Sequence, residues 1–135
     1  MIKKILVMML LVQSFVLADF KGVDATTLEA MMKKGAPVID IRTSQEWKQD
    51  GIIKGAHKIM FFDDRGQYDI DKFLNQLSKV VKDKNQPFVL VCRSASRTNM
   101  LGKFLANEVG YTKVRELAGG MVFGWQKLKK PVLKQ

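Results

Sequence analysis

Four consecutive apolar residues, Phe88-Val89-Leu90-Val91, run straight into the polar stretch Cys92-Arg93-Ser94-Ala95-Ser96-Arg97-Thr98. A strand with one face in water alternates apolar and polar side chains, and this run does not. It reads as a strand buried on both faces, which in a parallel sheet requires helices above and below. The polar stretch then falls at the carboxyl end of the strand, where open α/β sheets place their binding crevices.

The rest of the chain alternates in the same sense. Val38-Ile39-Asp40-Ile41 reads as a second central strand, residues 56–61 hold a further short one, and Val114 to Leu117 another. Between them lie helical patterns. Thr26-Thr27-Leu28-Glu29 has capping-box spacing, with Thr26 as the cap and Gly35 closing the helix, and Thr43-Ser44-Gln45-Glu46 repeats that spacing before Gly51. Ile70, Phe73, Leu74, Leu77, Val80 and Val81 recur at helical spacing and leave Lys72, Lys79 and Lys82 outside, until Asn85-Gln86-Pro87 breaks the pattern. Met100, Leu101, Phe104, Leu105 and Val109 mark one face of a helix over residues 98–109 that Gly110 caps. Gly119-Gly120 turns the chain into a last helix carrying Met121, Val122, Trp125 and Leu128. The fold class this predicts is α/β, a single domain with a mostly parallel central sheet flanked by helices on both faces, and 135 residues suit one domain.

The first 18 residues stand apart. Met1-Ile2-Lys3-Lys4 is a positively charged start, Ile5 to Leu17 is almost wholly apolar, and Val16-Leu17-Ala18 supplies the small residues of a cleavage site. The apolar stretch is shorter than the roughly 20 residues a spanning helix needs. Residues 1–18 are therefore expected to be a cleaved signal peptide and 19–135 the mature domain, exported to the periplasm, monomeric, with no stable membrane insertion after cleavage. The formal charge of +10 falls to +8 without Lys3 and Lys4, with 21 basic residues against 13 acidic. The lysines are scattered and lack an aromatic platform or a nucleic-acid motif, so a solvated surface that draws small anions is expected rather than nucleic-acid binding.

Cys92 is the only cysteine. In an exported chain it has no internal disulfide partner, which points to a reactive thiol. Reaction needs the thiolate, and a free cysteine with a pKa of about 8.5 is mostly protonated at neutral pH. Arg93, Arg97 and the amino terminus of the following helix supply the positive surroundings that favour the anion. One cysteine and one histidine, His57, are too few ligands for a metal site, and neither a metal nor a cofactor is expected.

Four segments in order complete the pattern: Val38-Ile39-Asp40-Ile41-Arg42 with Glu46-Trp47, then Gly51-Ile52-Ile53-Lys54-Gly55-Ala56-His57, then Cys92 to Arg97, and Leu117-Ala118-Gly119-Gly120 with Trp125. With these segments the chain resembles the rhodanese-like sulfurtransferases. The resemblance implies that Cys92 takes a sulfane sulfur from a small anionic donor, thiosulfate or polysulfide, and holds it as a persulfide for a thiol, cyanide or protein acceptor. It implies that Arg93, Ser94, Ala95, Ser96 and Arg97 cradle the substrate. It implies that Asp40 and Arg42 belong to a buried polar network, and Trp125 is expected to be a core anchor or to line the pocket mouth. His57 is expected to be structural. Many such loops have glycine where this chain has Ala95, so the loop either avoids a left-handed residue here or carries strain. Two alternatives remain: a sulfur carrier or binding module of the same family without efficient turnover, and a cysteine phosphatase or arsenate reductase. The phosphatase loop has one more residue between cysteine and arginine, and Thr98 stands where that arginine is required.

Overall fold

The computed structural model describes residues 19–135; the expected export segment, residues 1–18, lies outside the described residues. In chain order the elements are β1 (Asp19–Val23), α1 (Ala25–Lys33), β2 (Val38–Asp40), α2 (Ser44–Asp50), β3 (His57–Lys58), α3 (Ile70–Val80), β4 (Phe88–Val91), α4 (Ser96–Phe104) and β5 (Lys113–Leu117). The strands form one sheet in the order β1-β5-β4-β2-β3, and every pairing is parallel. The all-apolar run is central because it is buried on both sides. Phe88, Leu90 and Cys92 pack with Phe73 and Leu77 of α3 and Leu101 of α4, while Val89 and Val91 pack on the opposite face with Leu28 of α1, Met121 and Trp125. The expected helix-sheet-helix layering is thus present, with the sheet wholly parallel across its named strands. Among the described residues no helix is long and apolar enough to cross a membrane.

Local signals set most boundaries. Thr43 accepts from the Glu46 amide while the Glu46 side chain reaches back to the Thr43 amide, the reciprocal box expected there. Asp69 caps α3 by accepting from the Lys72 amide. At α1 the cap differs from expectation: Asp24, not Thr26, accepts from the Thr27 amide at 2.8 Å. Starting the helix at Ala25 buries Ala25 and Leu28 and turns Thr26 outward. Gly35 does end α1, with φ 91° and the paired bonds from Gly35 N to Met32 O and Ala36 N to Met31 O.

Three further differences have physical causes. The helix after the loop starts at Ser96, before residue 98, and its last turn widens over Leu105–Val109, where the Gly110 and Tyr111 amides both donate to the Leu105 carbonyl. On it Leu101 and Leu105 are buried but Met100 is half exposed, so the apolar face is narrower than its pattern. The segment Met121–Leu128 is a π turn followed by a 3₁₀ turn, not an α-helix. Gly124 explains the tight entry, since a Cβ there would lie 2.1 Å from the Ala118 carbonyl oxygen. β1 is an edge strand that periodicity did not suggest. Its Phe20 ring packs against Gly102 of α4, where a Cβ would sit 2.2 Å from the ring.

Candidate active site

Strand alternation carries Cys92 to the face covered by α3 and α4, at the end of the central strand, and the residue is fully buried. The chain then turns through Arg93 and Ser94, both exposed, and enters α4 at Ser96. Two backbone bonds fix the turn from the other side. The Met121 amide donates to the Cys92 carbonyl at 2.9 Å and the Val122 amide to the Arg93 carbonyl at 3.0 Å. Gly120 makes that approach feasible, with φ 64° and no Cβ to collide with the two carbonyls.

Ala95 resolves the ambiguity of the loop. It is left-handed, at φ 72° and ψ 0°, and serves as the cap residue of α4 without any side-chain bond. This conformation costs an alanine about 1–2 kcal/mol. Ala95→Gly is accordingly expected to stabilise the fold by about 1 kcal/mol after the unfolded-state entropy of glycine is counted. Urea unfolding of the two proteins measures the difference.

From Arg93 through Thr98 no backbone N–H donates to an acceptor among the described residues; the first amide to do so is that of Asn99, to the Ala95 carbonyl. Consecutive unsatisfied amides at a helix amino terminus form an anion cradle. The Cys92 sulfur lies at its base, 3.5 Å from Thr98 Oγ1. Thr98 in turn donates to Glu116 Oε2 at 2.6 Å and lies 3.1 Å from the Ala95 carbonyl. Sequence reasoning missed Thr98 and Glu116 as partners of the sulfur, and nothing local in the chain signals a contact between α4 and β5.

The two loop arginines have different surroundings. Arg93 is exposed and makes no ion pair among the described residues. Arg97 is half buried and held by Glu46 of α2 through parallel bonds of 2.7 and 2.8 Å. Hydrogen bonding to Glu46 raises the Arg97 pKa; burial opposes it, and the charges of Glu46, Cys92 and Asp40 reinforce it. Burial alone would raise the Glu46 pKa, but the bonds from Arg97 and Thr43 and the charges of Arg97 and Arg42 leave it below the usual range. A lowered carboxyl contributes stability that is present above its unfolded titration and lost as pH falls through its folded value. The Glu46 clamp on the loop therefore weakens in acid.

The remaining candidates lie around this centre. Asp40 and Arg42 are fully buried and paired, with Arg42 Nε 3.0 Å from Oδ1 and Nη2 2.7 Å from Oδ2. Arg42 Nη2 also donates to the Gly51 carbonyl at 2.7 Å, tying the end of α2 to the sheet. Trp125 is buried on the sheet face opposite Cys92, with its indole N–H on the Pro131 carbonyl, and so belongs to the core rather than to the pocket mouth. His57 is exposed in β3, one strand beyond β2 from the cysteine strand. Trp47 is half buried, beside Lys58, with its indole nitrogen buried and without a hydrogen-bond partner among the described residues.

A buried cysteine at the end of a central parallel strand, beneath a loop of free amides that opens a helix, defines a class of thiol-centred α/β domains. Residues 24–128 match the family model of the rhodanese-like domain, and the chain belongs to that family. Protein HIGH ARSENIC CONTENT 1, mitochondrial, from Arabidopsis thaliana is 28% identical over 103 residues, which are 76% of this chain and 60% of the plant protein. The chain thus spans about 60% of that relative's length. Among solved structures, Rv0390 from M. tuberculosis superposes with a TM-score of 0.69 at 18% identity, over 85% of this chain and 98% of that one. The polysulfide-sulfur transferase homodimer from Wolinella succinogenes gives 0.63 at 22% identity, over 89% and 82%. At these identities both structures speak for the shared fold.

Proposed function

We propose that the protein is a sulfurtransferase that moves a sulfane sulfur from thiosulfate or polysulfide to a thiophilic acceptor through a persulfide on Cys92. The observation that carries this reading is the six-residue run of amides from Arg93 to Thr98, free of acceptors among the described residues, over a single buried thiol. With thiosulfate, the Cys92 thiolate bonds to the outer sulfur, the donor's S–S bond breaks, and its electron pair leaves on sulfite. The outer sulfur remains as the terminal, negatively charged atom of the persulfide. The loop amides of Arg93, Ser94, Ala95, Ser96 and Arg97 stabilise that charge without reorganising. Arg93, exposed and without an ion pair among the described residues, attracts the incoming anion, while Arg97 shapes the loop through Glu46.

An acceptor thiol, cyanide or partner protein then removes the outer sulfur. With one cysteine in the chain there is no internal thiol to do so. The similar Wolinella protein is a polysulfide-sulfur transferase, which makes polysulfide the first donor to test beside thiosulfate. A role outside the cytoplasm is supported by the charged start and apolar run of residues 1–17.

The test is loading and discharge. After incubation with either donor and removal of the excess, intact mass is expected to rise by one sulfur atom, with peptide mapping placing it on Cys92. Cyanide is expected to return the mass to its starting value and release thiocyanate. Protein unmodified by both donors overturns the reading. Discharge by a partner protein but not by cyanide or small thiols makes the chain a carrier, and faster turnover of a phosphate ester or arsenate selects the phosphatase or reductase alternative.

A further inference from the structure

A buried carboxylate with no cation beside it among the described residues stands one hydroxyl away from the reactive sulfur. In the β4–β5 register Glu116 lies opposite Leu90, and Leu90, Cys92 and Val114 share one core cluster, so alternation brings Glu116 to the sulfur's side of the sheet. Glu116 is 8% exposed, and no lysine or arginine among the described residues lies within ion-pair distance of it. Burying a carboxylate is costly unless it is hydrogen-bonded, and the bond it has is the one from Thr98 Oγ1 at 2.6 Å. That length is typical of O–H···O⁻. A hydroxyl has one proton, so when Thr98 gives it to Glu116 its lone pairs face the sulfur, and the 3.5 Å contact takes its proton from the thiol.

We propose that Glu116, acting through the Thr98 hydroxyl, takes up the proton of Cys92 when the sulfur attacks and returns it when the sulfur is released. The proton leaves S–H for Oγ1 as the Thr98 proton passes to Oε2. The result is a thiolate that accepts a hydrogen bond from Thr98, and a neutral Glu116. In the sulfur-transfer reaction, thiol, carboxylate and thiosulfate become persulfide anion, carboxylic acid and sulfite, with total charge unchanged. When cyanide removes the outer sulfur as thiocyanate, Cys92 leaves as thiolate and recovers its proton by the same path. Glu116 is a positioning and proton-holding residue; it does not touch the substrate. The proposal rests on the sulfur-transfer reading for the use of the thiolate, not for its formation.

Because Cys92 is the only cysteine, the ultraviolet absorbance of the thiolate followed against pH, with Cys92→Ser as blank, reads this one sulfur without any donor. The other charged groups around it are Arg93 and Arg97 of the loop, Asp40 of β2, Arg42 just beyond that strand, and Glu46 of α2, and all are retained in Glu116→Gln. Glutamine keeps a hydrogen bond for Thr98 but holds no proton. The expected result is a thiolate curve displaced to higher pH, with loading by thiosulfate or polysulfide about tenfold slower near pH 6 and equal to wild type in alkali. Thr98→Val is expected to move the curve the same way and Thr98→Ser to leave it near wild type. Superimposable Gln and wild-type curves, or a Gln curve displaced to lower pH, overturn the relay, as does an unmoved Thr98→Val curve. A displaced curve in protein that accepts sulfur from neither donor keeps the relay and rejects sulfur transfer.

Discussion

Gly120→Ala should slow persulfide loading on the order of 10²-fold while leaving most of the fold in place. A Cβ at this position would lie 2.5 Å from the Arg93 carbonyl oxygen and 2.7 Å from that of Cys92. Both neighbours are backbone, so no rotamer change relieves the contact. The φ of 64° adds the left-handed cost of a non-glycine residue. The chain can yield only by moving the Gly119-Gly120 turn away from the loop, which breaks the Met121 and Val122 bonds to the Cys92 and Arg93 carbonyls. Those bonds hold the base of the amide cradle, and a shift of about 1 Å at a reacting centre is enough for a loss of this size. Single-turnover loading followed by intact mass measures it. A variant that loads at the wild-type rate would show that the turn does not set the loop geometry.

What the chain announces locally was readable, and what depends on packing between distant segments was not. Phe88–Val91 declares a doubly buried strand because all of its residues are apolar, and residues 70–81 declare a helix because six apolar positions share its period. Thr43 and Glu46 form a box within one turn and need nothing else. β1 offers only Phe20 and Val23 as apolar residues, and its existence depends on pairing with β5 at the other end of the chain. The choice of Asp24 over Thr26 as cap depends on which residues α1 must bury, which the cap sequence does not contain. Ala95 was legible as a question, since an alanine in that place must avoid positive φ or carry strain, and two carbonyl bonds on the far side of the loop hold it in the strained form. The cysteine and its loop were visible as a motif. The pairing of Arg97 with Glu46 and the contact of Thr98 with Glu116 cross between elements and come into view only when the sheet is assembled.

Asp40→Ala is expected to destabilise the protein by about 3–5 kcal/mol, because it leaves the buried Arg42 guanidinium without its carboxylate. Arg42 is 0% exposed, and among the described residues its Nη1 has no hydrogen-bond partner; Asp50 Oδ2, at 3.8 Å, is within ion-pair range but too far to hydrogen-bond it. Chemical denaturation gives the number, and a loss below about 1 kcal/mol would mean that Arg42 finds another partner. The cost belongs to the unpaired charge rather than to the loss of a favourable pair. Asp40→Leu combined with Arg42→Met should therefore recover much of the stability. Function should not return with it. Arg42 Nη2 holds the Gly51 carbonyl at the end of α2, and α2 carries the Glu46 that grips Arg97. The double variant is thus expected to be folded yet slower to load sulfur, with the deficit narrowing in acid, where protonation of Glu46 loosens the same clamp in the wild type. Equal loading rates across that pH range would confine the Asp40–Arg42 pair to the fold and detach it from the loop.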